Sequence, residues 1–203
     1  MELSRRLRKA LGITAREFNG ALELYDPAPG RDNTYPERMV SYYFIRALAR
    51  ALPNSNVLLE IPITGRTRRG WDNHIDALVF NDDEIVVAEF KVGWAPSHWM
   101  ALAKDLERLQ RPSVAKEIRN CLERSPRGAA IRHQRPYIVL GSDCWFQDRA
   151  NAWKAGSKSG NWVLPKAMLP AKRDYLAVYD DEGADFDGYY FTWALMPFPG
   201  LKR

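Results

Sequence analysis

No apolar run in this chain approaches the roughly 18–20 residues that a helix needs to cross a bilayer, so a membrane-embedded reading drops out. Cysteine is almost missing. Cys121 and Cys144 are the only two and have no metal-like spacing, which predicts free thiols in a reducing cytoplasm. The opening stretch MELSRRLRKALGI is basic but has no apolar segment behind it, so no secretory signal is read. The three histidines, His74, His98 and His133, form no zinc motif with either cysteine. GRTRRG (65–70) has the glycine spacing of a phosphate-binding loop, but Trp71-Asp72 follows where Lys-Ser/Thr is required. Ser142 in LGSDC lacks the glycines of a nucleophile elbow. There is no internal repeat, low-complexity linker, helix-turn-helix or zinc finger.

What remains is a soluble globular composition, 46% apolar and 27% charged over 203 residues. That length suits one domain with a sizeable core. The net charge of +5 favours polyanionic partners. Residues 3–12 read as a short basic helix and 26–33 as a turn-rich loop. A second helix runs from Pro36 to Leu52, with Met39, Val40, Tyr43, Phe44, Ala47 and Leu48 at helical spacing, and Pro53 and Asn54 stop it. Strands follow at Val57–Ile63, Ile75–Phe80 and Glu84–Val92, the last two joined by a turn through Asp82 and Asp83. Ser97 would cap a helix reaching Leu109, and another helix covers Val114–Leu122. PYIVLGS (136–142) reads as a short buried strand. A helix near 146–155 and strands at Tyr175–Tyr179 and Tyr189–Leu195 complete the order. The expected class is α/β with a mixed central sheet flanked by helices.

The third strand, EIVVAEFKV, places a carboxylate and an ammonium where burial makes charge expensive. Side chains alternate along a strand. Glu89 and Lys91 therefore share one face, read as a site, and Ala88, Phe90 and Val92 the other, read as core. If Asp82 and Asp83 form the turn, counting back sets Asp76 opposite Glu89. Like charges so paired repel and raise each other's pKa. A divalent cation between them reverses that sign, and Mg²⁺ takes one or two carboxylates with waters or phosphate oxygens.

Asp76 followed, after twelve intervening residues, by Glu89-Phe90-Lys91 at the end of a hairpin resembles the PD-(D/E)XK nuclease superfamily. Ile75 stands where that motif's proline would. Glu37 on the preceding helix matches an additional glutamate of many members, and KDLERL (104–109) resembles a helical segment after the motif in some. The resemblance covers about 35–145, within a single domain over 1–203 whose remainder, about 146–203, is a mixed β-rich extension. It implies a restriction-endonuclease-like core and a Mg²⁺- or Mn²⁺-dependent endonuclease leaving 5′-phosphates on DNA, in restriction, repair or anti-phage defence. Asp76, Glu89 and the Phe90 backbone carbonyl would hold the metal, with Glu37 as a further ligand, and Lys91 would orient or activate the attacking water. Double-strand cutting with one site per chain implies a homodimer.

Other readings stay beside this one. Glu89 and Lys91 also suit a surface pair on an edge strand. Thr34–Glu37 fits a capping box, so Glu37 has a structural role available. Asp105 and Arg108 read by default as a solvated helix face. Arg66, Arg68, Arg69 and Trp71 precede the metal strand and would grip phosphates or stack on a base, though an arginine loop also serves solubility. His74, two residues before Asp76, would share its face and touch nucleic acid or be structural. Trp94, His98 and Trp99 offer a cleft wall or core packing. The alternative functions are a non-catalytic DNA- or protein-binding module on the same fold and an RNA-directed nuclease.

Overall fold

The computed structural model describes residues 2–25, 37–63, 74–92, 95–124, 135–179 and 188–201, with the side chains of 22–25, 37, 38 and 179 outside that description. Helix α1 (Glu2–Tyr25) is longer than the ten residues expected from its basic start. Leu3, Leu7, Leu11, Ala15 and Phe18 form a continuous buried stripe at helical spacing. Gly12 does not end the helix, and the Thr14 hydroxyl bonds back to the carbonyls of Ala10 and Leu11. Helix α2 (Glu37–Ala51) packs on α1, and Asn54, in the left-handed region at φ 57°, turns the chain into β1 (Asn56–Pro62).

Strands β2 (His74–Phe80) and β3 (Glu84–Lys91) form an antiparallel hairpin, and β1 pairs with β2. Asn81 makes the turn, its side-chain oxygen accepting from the N–H groups of Asp83 (3.0 Å) and Glu84 (2.9 Å). Helices α3 (Pro96–Leu109) and α4 (Pro112–Glu123) then carry the chain to β4 (Arg135–Cys144), parallel to β3. A parallel neighbour requires such a crossover. Ala95, not Ser97, occupies the cap position of α3, and the His98 ring nitrogen accepts from the Ala95 N–H at 3.4 Å.

Helix α5 (Gln147–Ala155), a two-residue ribbon of β5 (Lys158–Ser159) and β6 (Trp162–Val163), and strands β7 (Lys172–Tyr179) and β8 (Tyr189–Pro197) follow. The six-stranded sheet has the order β1-β2-β3-β4-β8-β7, with only β3 and β4 parallel. It is a mixed sheet with helices on both faces. On one side Val86, Ala88 and Phe90 pack with Phe44 and Leu48 of α2 and Phe18 of α1. On the other, Ile85 and Val87 pack with Leu102 and Leu106 of α3 and Ile118 of α4. Trp99, expected as a possible cleft wall, is fully buried and meets Trp153 and Trp162 edge-on. Trp94 lies outside the described residues.

Candidate functional site

The hairpin register pairs Ala77 with Ala88 and Leu78 with Val87. Carried one residue further, it aligns Asp76 with Glu89, as the turn position predicts. The backbone ladder does not continue there in its ordinary form: the Phe90 N–H donates to Asp76 Oδ2 at 2.7 Å. A side-chain carboxylate thus takes a place that a strand carbonyl holds elsewhere, and β2 and β3 separate at this end.

Ala88 and Phe90 on one face of β3 belong to the core, as expected. The face of Glu89 and Lys91, expected as an open site, is covered as well, its Ile85 and Val87 packing against α3; β3 is also internal to the sheet. This also removes the edge-strand reading of Glu89 and Lys91. Glu89 is 1% exposed. Its pKa is pushed well above the ordinary 4.5, first by desolvation and then by the Asp76 charge, while Arg108 and Lys91 pull it back.

Arg108 is the residue that the sequence reading placed in solvent. Its side chain turns inward from the last turn of α3, donating from Nη2 to Glu89 Oε1 at 2.6 Å and from Nη1 to the His74 carbonyl at 3.0 Å. It also pairs with Asp105 at 3.0 Å, and Asp105 lies 3.7 Å from the Lys91 ammonium. Asp105 and Arg108 are therefore part of the charged cluster rather than a solvated face. Leu102, Ala103, Leu106 and Leu109 form the buried stripe of α3, and Asp105 and Arg108 flank it at spacing i, i+3, where an inward reach is possible.

On the α2 side, Glu60 of β1 adds a group not singled out in the sequence. It adopts φ 50° inside a strand, a conformation costly for a residue with a Cβ. Pairing of Leu59 with Ala77 and Ile61 with Ile75 brackets Glu60 opposite Asp76. Its carboxylate meets His74 Nε2 at 2.8 Å, and the same nitrogen is 3.7 Å from Asp76 Oδ1. His74 and Asp76 do share a face, and together with Glu60 they border a groove between α2 and β1 of about 910 Å³.

Glu37 opens α2, but its side chain lies outside the described residues, as do Thr34 and the loop bearing Arg66, Arg68, Arg69 and Trp71. Among the described residues no group of three or more His, Cys, Asp or Glu side chains is arranged to hold a metal ion. A two-carboxylate site does not require one, since Mg²⁺ completes its shell with water or phosphate oxygen. The donor set of Asp76 and Glu89 fits a hard divalent cation in chemistry and in charge: both are oxygen donors, and one is desolvated beside the other's negative charge. No described helix is long and apolar enough to cross a membrane. Compared with known proteins, the chain matches no family model, no curated protein and no solved structure.

Proposed function

We propose that this chain is a Mg²⁺- or Mn²⁺-dependent nuclease that hydrolyses phosphodiester bonds of DNA on a restriction-endonuclease-like core. The observation that carries the reading is the alignment of Asp76 with Glu89, with Lys91 two residues on, where β2 and β3 part. The order of α2, antiparallel β1-β2-β3, a helical crossover and parallel β4 supports the PD-(D/E)XK resemblance.

In this reading Asp76, Glu89 and the Phe90 carbonyl would hold the cation, with Glu37 as a further ligand, and the cation would supply Lewis-acid chemistry to the attacking water and the leaving oxygen. Lys91 orients the attacking water and offsets negative charge gathering on the phosphorus-bound oxygens. Arg108 fixes the Glu89 carboxylate against α3 and holds the end of β2 through the His74 carbonyl, so that both acidic residues start from a set position.

The test is cleavage of a supercoiled plasmid and of a single strand in Mg²⁺, in EDTA, and by Glu89→Ala. Metal-dependent cleavage that disappears in the variant supports the reading; cleavage that persists in Glu89→Ala, or cleavage of neither substrate by the wild type, removes it. The buried Arg108–Glu89 pair is the one feature favouring a binding module, because it neutralises part of the acidic charge from within the chain. DNA binding without cleavage is that module's signature.

A further inference from the structure

The groove that Asp76 helps to line has mainly apolar walls. Tyr42, Ile45 and Arg46 project into it from one face of α2, and Val57 and Leu59 from β1. Tyr42 is 53% exposed and Leu59 56%, which is unusual for large apolar side chains set beside each other. The Arg46 guanidinium lies 5.5 Å from the centre of the Tyr42 ring and pairs with Glu17 of α1 at 3.2 Å. The ring and the cation line the same groove as the Glu60 and Asp76 carboxylates.

We propose that this groove receives an unpaired nucleobase of the substrate strand, so that the preferred substrate is single-stranded or frayed DNA rather than intact duplex. This deepens the nuclease reading and rests on it. Three observations select the occupant. The lining suits the flat face of a base, being mainly apolar with Tyr42, Ile45, Val57 and Leu59 contributing to it. Aromatic rings are sequence-tolerant stacking platforms, and a cation beside the ring adds to them. The volume falls within the roughly 300–1,000 Å³ of sites that enclose a small molecule, the scale of a nucleotide and far short of a double helix. Bases in a duplex turn their faces to each other, so only an unpaired one can offer its face to Tyr42. The groove's junction with the catalytic cluster at Asp76 then sets the adjoining phosphate beside the carboxylates.

The experiment measures binding without turnover. The full chain is titrated, in Ca²⁺ instead of Mg²⁺, against a fluorescent oligothymidylate and a blunt duplex of equal length, with thermal melts confirming folding of each variant. The wild type is expected to prefer the single strand. Tyr42→Ala should weaken that binding about tenfold, within the range for loss of one base–aromatic stack, and Tyr42→Phe should restore it. Leu59→Asp, which brings a negative charge to the groove wall, should also weaken it. An unchanged single-strand affinity in Tyr42→Ala overturns the proposal. So does a wild type that binds the duplex at least as tightly, or that ignores the single strand and leaves the groove to a peptide or small molecule. A chain that binds through Tyr42 but in Mg²⁺ cuts neither plasmid nor the single strand sinks the nuclease reading alone; one that cuts the single strand at the same rate in Tyr42→Ala sinks the groove alone.

Discussion

Arg108 and Glu89 meet across the space between α3 and β3, guanidinium to carboxylate at 2.6 Å, with the carboxylate almost wholly removed from solvent. Removing one partner of a buried ion pair costs about 3–5 kcal/mol because the other is left uncompensated. Arg108→Ala should approach that loss where Glu89 is ionised and lacks its main countercharge, and the loss should shrink as pH falls and the carboxyl takes up a proton. Urea unfolding in EDTA as a function of pH is the check; equal losses at every pH would mean that Arg108 acts through packing alone.

The same residue sets a pH dependence in the wild type. Desolvation and Asp76 raise the folded-state pKa of Glu89 above its ordinary 4.5. The folded chain therefore holds this proton more tightly than the unfolded chain does. This contribution to stability is fully present below pH 4.5 and is lost as pH rises through the raised value. Glu89→Gln should flatten the metal-free melting temperature over that window and be the more stable protein above it. A wild-type profile that rises across the window in step with the variant's would contradict this sign.

Asp76→Asn separates folding from function. An amide oxygen still accepts from the Phe90 N–H, while the repulsion between Asp76 and Glu89 is removed. Metal-free stability should be unchanged or raised by up to about 1 kcal/mol. Cleavage and the Mg²⁺-induced rise in melting temperature should both vanish. A variant that cleaves normally would take Asp76 out of the metal site.

Glu37→Gln distinguishes a cap from a metal residue. Glutamine also serves in a capping box but has no charge to offer a cation. A fall in cleavage of about tenfold or more is expected from the metal role, measured as the initial nicking rate. Rates equal to wild type would leave Glu37 a purely structural residue.

Salt reports on the basic loop. Each cation contacting a duplex phosphate adds about 0.9 to the slope of log affinity against log salt. Replacing Arg66, Arg68 and Arg69 with alanine should flatten the slope for a duplex in Ca²⁺ by about two to three units. An unchanged slope would move the DNA path to the helices bearing Lys104 and Arg111.

The hairpin and its charged end were legible in the sequence for a definite reason: a short polar turn, Asn81–Asp83, joins two runs whose alternation admits one register. Helix α2 was legible from its periodic apolar residues. Arg108 was not, because a charged residue beside a buried stripe has the same pattern whether its flexible side chain turns to water or to a buried partner 19 positions earlier. Glu60 was also invisible, since nothing in NVLLEIP marks a left-handed residue. The groove depends on that turn of β1 and on which face of α2 is left uncovered, and both are tertiary facts. Helix α1 runs past its expected end at residue 12 because the buried stripe on either side of Gly12 overrides that residue's weak propensity.

Glu60 also bears on how separate copies behave when crowded. β1 is the outermost strand, and among the described residues no strand covers its free side. A straight apolar border of this kind is a template on which a neighbouring chain can add its own backbone. The left-handed residue breaks the repeat between Leu59 and Ile61, and Pro62 withdraws an N–H just beyond. An incoming chain would find no more than a few consecutive donors and acceptors in step. The distortion that aims a carboxylate at His74 therefore also makes this border a poor seed for fibrous growth.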